Sequence, residues 1–190
     1  MENKIFLDFD ETLGHVLYAS SEKHADDLLY DYGEHFVGEK FQIRHDGWYV
    51  GFKRAWADEL IQFCKQLVGP ESVFILTTGI QDYIRWCNIK LNLGFDPNTN
   101  IFGREDIRIN KPHPKFIDTF NVLVDNLSYR DHVYPPYSKV NFLNGLPRSQ
   151  YVKVDEFNVW IAPLDDDSEY FESVKNDIVK VMNPLIKTEL

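Results

Sequence analysis

KIFLDFDETL, residues 4–13, is the stretch that decides how this chain is read. Residues 4–9 are mostly apolar and run into acids. Such a run reads as a buried strand with polar groups at its carboxyl end. The segment Asp8-Phe9-Asp10-Glu11-Thr12 then sets two carboxylates two positions apart. In extended chain, positions i and i+2 point to the same side, so both acids face one space.

Two further apolar runs end in the same way. Residues 73–76, VFIL, lead into Thr77-Thr78-Gly79, and residues 122–124, VLV, lead into Asp125-Asn126. Helical spacing lies around them: Trp56, Leu60, Phe63 and Leu67 within 55–68, closed by Gly69-Pro70, and Tyr83, Ile84, Cys87 and Leu91 within 80–91. Residues 151–154 and 159–161 read as further strands. Residues 169–182 read as a closing helix through Phe171, Val174, Ile178 and Val181. Strand alternating with helix predicts an α/β fold, a mostly parallel sheet with helices on both faces. Residues 36–52 alternate around Asp46-Gly47, a hairpin signal. Residues 14–35 show no clear period. Residues 92–108 and 127–150 read as loop, and Lys111-Pro112-His113-Pro114 as irregular chain before a short helix ending near Phe120.

In open α/β sheets, ligands bind outside the carboxyl ends of the strands. Asp8, Asp10, Thr77 and Asp125 are therefore expected around one crevice. A first carboxylate there can attack phosphorus, and a second can protonate the leaving oxygen and later activate water. Clustered acids facing a dianionic substrate repel it and each other. A divalent cation relieves this, and magnesium suits an all-oxygen site of one or two carboxylates, phosphate and waters. The Thr77 hydroxyl and the N–H groups that follow it, Thr78 included, can donate to phosphoryl oxygens. A cation is needed as well; Lys111 leads, Lys115 is in reserve, and Arg104 and Arg108 are more distant options.

The chain has 190 residues, enough for one domain with an insertion. Hydrophobic residues make up 44%, which suits a folded core, and the net charge of −10 disfavours extended nucleic-acid contacts. Cys64 and Cys87 form no CxxC pair and read as buried thiols in the cytoplasm or another reducing intracellular compartment. No leader segment or membrane-length apolar run is expected from the pattern. The acidic triplet Asp165–Asp167 reads as a solvated loop, and Thr12 as a cap on the turn after the first strand.

IFLDFDETL resembles the first motif of the haloacid dehalogenase (HAD) superfamily, DxDxT after an apolar strand. VFILTTG resembles the second motif, NKPHP the lysine-bearing third and VLVDN the fourth. Within the superfamily the chain looks like the FCP/SCP-like, NLI-interacting-factor-like branch of C-terminal-domain phosphatases. That likeness rests on Asp10-Glu11-Thr12-Leu13, KRAWADELIQF and LTTGIQDYI. It implies a HAD-like Rossmannoid three-layer sandwich, residues 1–190 as a single phosphatase domain, with residues 14–53 as a flap or cap insertion containing a β-hairpin. It implies Asp8 as nucleophile and Asp10 as general acid/base. Asp8, Asp10 through its carbonyl, Asp125 and Asn126 would hold Mg2+, and Thr77, Thr78 and Lys111 the phosphoryl group. The implied partner is a phosphorylated protein or small molecule, with no membrane. A nucleotide or nucleic-acid end phosphatase, or a degenerate phosphopeptide-binding module, are the alternatives. Two positions depart from the branch: Asn126 stands where a second aspartate is usual, and Arg54-Ala55-Trp56 lacks the usual proline and glycine.

Overall fold

The computed structural model describes residues 2–43, 47–160 and 168–183. Its main sheet has five parallel strands: β1 (Asn3–Leu7), β5 (Val73–Leu76), β6 (Ile101–Phe102), β7 (Phe120–Asp125) and β8 (Tyr151–Lys153). They lie in the order β6-β5-β1-β7-β8, so β1 is central and the chain winds outward from it to either side. A separate antiparallel sheet, ordered β2-β4-β3, is made of β2 (Gly14–Ala19), β3 (Val37–Gln42) and β4 (Trp48–Lys53). This is the architecture of a HAD-like Rossmannoid fold with a small hairpin-containing flap.

The central strands lack polar alternation because both their faces are covered. Ile5 and Leu7 face α2 (Ala57–Val68), α3 (Gln81–Lys90) and α6 (Ser168–Met182), where Leu60, Ile61, Cys64, Ile84, Cys87, Val174 and Ile178 complete one core. In α2 the buried positions are Ala57, Leu60, Ile61 and Cys64, the i, i+3, i+4, i+7 stripe of a helix lying on a sheet. Phe6, Phe74, Leu76 and Leu123 point the other way, into a second core. That layer is made of short pieces: α4 (Arg104–Ile107), a 3₁₀ turn Pro114–Phe116 and α5 (Lys139–Phe142). Phe6, Phe74 and Phe116 pack ring on ring within it.

Residues 14–53 leave and rejoin the main fold at one point. Gly14 pairs with Lys53 in the β2–β4 ladder, and Arg54 N–H donates to the Leu13 carbonyl at 2.9 Å. A Cβ on Gly14 would lie 2.8 Å from the Phe52 carbonyl oxygen and 2.9 Å from the Phe9 ring, so only glycine fits this crossing. The segment without a clear period contains β2 and α1 (Glu22–Tyr32), a helix capped by the Ser21 side chain. Its buried stripe is short, which is why periodicity missed it.

Several expectations need correction. Residues 92–108 hold β6 and α4, and residues 127–150 hold α5 and 3₁₀ turns at Tyr129–His132 and Arg148–Gln150. Elements of two to four residues leave no periodic trace. No helix runs to Phe120: the chain stops after one turn, Asp118 takes a positive φ of 62°, and Phe120 opens β7. Val159 and Trp160 lie in a turn, not a strand, while Ile161 falls outside the described residues. Asp46 of the hairpin signal and Asp165–Asp167 also lie outside them, but β3 and β4 pair antiparallel on either side of the expected turn.

Candidate active site

The register of the sheet brings three strand ends level. Leu7 pairs with Ile75 on one side and Val124 on the other, and Asp8 N–H extends the ladder to the Val124 carbonyl at 2.9 Å. Asp8 and Asp125 therefore sit side by side on the carboxyl edge, 4% and 0% exposed. Directly after Asp8 the chain coils: the N–H groups of Thr12, Leu13 and Gly14 all converge on the Phe9 carbonyl, and Glu11 takes a φ of 63°. This turn swings Asp10 back over the edge.

Asp10 is held at both oxygens. The Thr77 hydroxyl donates to Oδ2 at 3.1 Å and the Tyr83 hydroxyl to Oδ1 at 2.5 Å. Thr77 Oγ1 in turn accepts the Gly79 N–H at 3.0 Å, which closes the turn leaving β5. Thr78 follows Thr77 at the same strand end, and its carbonyl accepts Arg104 Nε at 2.7 Å.

The cation at this edge is Lys139, 1% exposed. Its Nζ lies 2.6 Å from Asp8 Oδ1 and 2.6 Å from Asp125 Oδ2. Asp125 Oδ1 accepts the Leu127 N–H at 2.9 Å. Lys139 opens α5, whose N-cap Ser138 accepts the Asn141 N–H at 3.0 Å and donates to the His132 carbonyl at 2.8 Å. Sequence reasoning missed Lys139. A serine cap before a short apolar-faced run, Ser138-Lys139-Val140-Asn141-Phe142, was the one local signal available.

Lys111 is not drawn into this cluster: it is solvent-exposed in the loop before β7. Lys115 is exposed too, with Nζ over the Phe74 ring at 4.9 Å. Arg104 reaches the rim through Thr78, and Arg108 is exposed. His113 packs against Phe102, Phe116 and Phe142 as part of the second core. Asn126 ties the motif-one turn to β7: its N–H donates to Thr12 Oγ1 at 3.1 Å, its Oδ1 accepts the Thr12 hydroxyl at 3.3 Å, and its Nδ2 donates to Glu11 at 3.1 Å. Asp131, a conceivable stand-in for a fourth-motif acid, caps Ser128 instead.

The electrostatics of the cluster are uneven. Burial raises the Asp8 carboxyl well above its ordinary range, and the Asp125 charge adds to this against the pull of Lys139. Burial also works against ionised Asp125, but Lys139 and then His132 outweigh it and hold that carboxyl below the usual range. Burial disfavours the Lys139 ammonium, yet Asp125 and Asp8 together raise its pKa. Asp125 and Lys139 are thus the settled ion pair, and Asp8 is the second carboxylate on one cation.

Asp8, Asp10 and Asp125 bring three carboxylates to a site with one ammonium, a surplus of negative charge in low dielectric. Such a donor set fits a small hard cation. Among the described residues, no three His, Cys, Asp or Glu side chains are grouped to hold a metal alone. A site of two carboxylates completed by backbone, phosphate and water oxygens is the magnesium pattern.

The fold is that of a HAD-like Rossmannoid domain, with Asp8, Asp10 and Asp125 gathered at the carboxyl edge of the sheet. Solved structures share this fold, among them the following two. Both are of Fcp1, an RNA polymerase II CTD phosphatase. One, the fission yeast protein as an arginine-to-alanine variant bound to beryllium fluoride, matches with a TM-score of 0.52 and 13% identity over 98% of this chain and 54% of that one. The other, described as an essential RNA polymerase II CTD phosphatase, matches with a TM-score of 0.51 and 13% identity over 100% and 55%. The chain thus spans about half the length of these Fcp1 chains. At this identity the likeness establishes the fold. No family model and no curated protein sequence matches the chain.

Proposed function

We propose that the chain is a magnesium-dependent phosphomonoester hydrolase working through an aspartyl-phosphate on Asp8. The observation that carries this reading is the Asp8–Lys139–Asp125 cluster, set beside an Asp10 carboxylate clamped by Thr77 and Tyr83. Lys139 engages Asp8 Oδ1, and among the described residues no hydrogen bond reaches Oδ2. Asp8 Oδ2 forms the new bond to phosphorus as the bond to the leaving oxygen breaks. Asp10 delivers a proton to that oxygen, then takes one from the water that attacks the phosphoaspartate, releasing phosphate.

Lys139, in place of Lys111, supplies the cation for the phosphoryl oxygens, and at the end of β5 the Thr78 N–H donates to them, joined by the Thr77 hydroxyl when it turns from Asp10. Asp8, the Asp10 carbonyl and Asp125 would hold Mg2+, with the Asn126 amide oxygen as a further donor already engaged by Thr12. When bound, the metal neutralises surplus carboxylate charge and screens the incoming dianion.

A phosphoprotein is the substrate class that suits the geometry. Among its described residues the insertion at 14–53 folds as three strands and one helix, a small unit that leaves room for an extended chain to reach the crevice. The net charge of −10 weighs against nucleic acid. No described helix is long and apolar enough to cross a membrane. The test is hydrolysis of an aryl phosphate with and without magnesium, in wild type and Asp8→Asn. Turnover that survives Asp8→Asn, whose amide cannot attack phosphorus, sinks the proposal.

A further inference from the structure

His132 touches this cluster, and the mechanism above leaves it unused. Its side chain is 1% exposed, in the 3₁₀ turn that follows β7. Nε2 stands 3.2 Å from Asp125 Oδ2, within the range of an N–H···O bond. The contact does not have hydrogen-bond geometry, and Nε2 has no hydrogen-bond partner among the described residues. The oxygen it approaches is already occupied by Lys139 at 2.6 Å. A buried polar atom left without a partner calls for a reason.

Hydrolysis supplies one. Lys139 cannot remain fully engaged with Asp125 while it also serves a phosphoryl group. As the ammonium moves toward the substrate, Asp125 Oδ2 loses its closest donor inside a dry site. We propose that His132 is a positioning residue that takes over Asp125 Oδ2, through Nε2–H, when Lys139 is drawn to the phosphoryl group. The exchange transfers a hydrogen bond, and no proton changes hands. The two donors are mechanically linked: Ser138 caps the helix that carries Lys139 and donates to the His132 carbonyl at 2.8 Å. The Tyr151 ring lies beside the imidazole, 5.7 Å between centroids, and its hydroxyl donates to the Asp125 carbonyl at 3.2 Å. The inference rests on the phosphatase reading of the site.

The test compares wild type, His132→Phe, which keeps the ring without a donor, and His132→Gln, whose amide donates from nearly the same place. Steady-state hydrolysis of an aryl phosphate is paired with thermal melting, alone and with magnesium and beryllofluoride, a phosphoryl mimic. The expected result is a kcat about tenfold or more lower in His132→Phe, as befits a lost hydrogen bond to a charged group, with KM within about twofold. Its beryllofluoride shift is smaller, and His132→Gln recovers most of both losses. Wild-type kcat together with a full beryllofluoride shift in His132→Phe overturns the proposal. So does a fall in resting stability shared by both variants with the shift intact, which marks plain packing. If His132→Phe does not fold, His132→Leu against His132→Gln makes the same comparison. Asp8→Asn runs alongside: no turnover in wild type overturns the phosphatase reading and this inference together, whereas normal turnover lost in Asp8→Asn leaves His132 to be judged by its own variants.

Discussion

Lys139→Met is the sharpest test of how the site is held together. Methionine keeps the length and apolar stem of the side chain and removes the ammonium, so two contacts of 2.6 Å are lost with little change in packing. Breaking one side of a buried ion pair costs about 3–5 kcal/mol, because the remaining charges stay buried without a partner. For a chain of this size each kcal/mol moves the melting temperature by about 2–4 °C, so the drop at neutral pH is roughly 6–20 °C. The pH dependence follows from the two carboxylates. Asp125 has its folded pKa below the unfolded value, so it contributes stability above about pH 4 that is lost as pH falls through the folded value. Asp8 has its folded pKa above the unfolded value, so stability falls as pH rises from about 4 through that value. Removing Lys139 cancels the first contribution and enlarges the second. The gap between variant and wild type is therefore widest near pH 7 and narrows toward pH 4. Urea titrations in EDTA across this range measure it, with Lys111→Met as the control expected to stay within about 0.5 kcal/mol of wild type. Turnover of the Lys139 variant should fall about 10²–10³-fold. A Lys139→Met protein as stable as wild type at pH 7, or a gap that does not change with pH, would refute the reasoning.

The other expectations are simpler. Asp8→Asn should melt higher than wild type at pH 7, since it replaces a carboxylate that burial and Asp125 oppose with a neutral amide; a lower melting temperature contradicts the charge assignment. Tyr83→Phe removes one of the two hydroxyls on Asp10 and should lower kcat about tenfold, more for poor leaving groups than for good ones; equal loss for both removes Tyr83 from the acid step. Burial pushes the Cys64 thiol up to about 12 and raises the Cys87 thiol well above its usual value, so iodoacetamide at pH 8 should label neither until the chain is unfolded, as read by mass spectrometry. Gly14→Ala should cost about 1–3 kcal/mol in urea unfolding, because its Cβ meets the Phe52 carbonyl and the Phe9 ring.

What the sequence by itself determined is the sheet and three of its tips. β1, β5 and β7 are buried on both faces, so each is an apolar run that ends at the polar residue it presents, and Asp8, Thr77 and Asp125 are legible from position alone. The helices α2, α3 and α6 were legible for a similar local reason: each lays one stripe on the sheet. The second core and the cation were not. That layer is built from four-residue helices and single 3₁₀ turns, too short for a period, and motif order pointed to Lys111, which stands in solvent. Only the tertiary structure brings Lys139 and His132, on a segment rich in tyrosine, proline and serine, back against Asp125. A buried lysine carries no signature along the chain, because what makes it tolerable is the pair of carboxylates around it, and those come from strands 131 and 14 residues away.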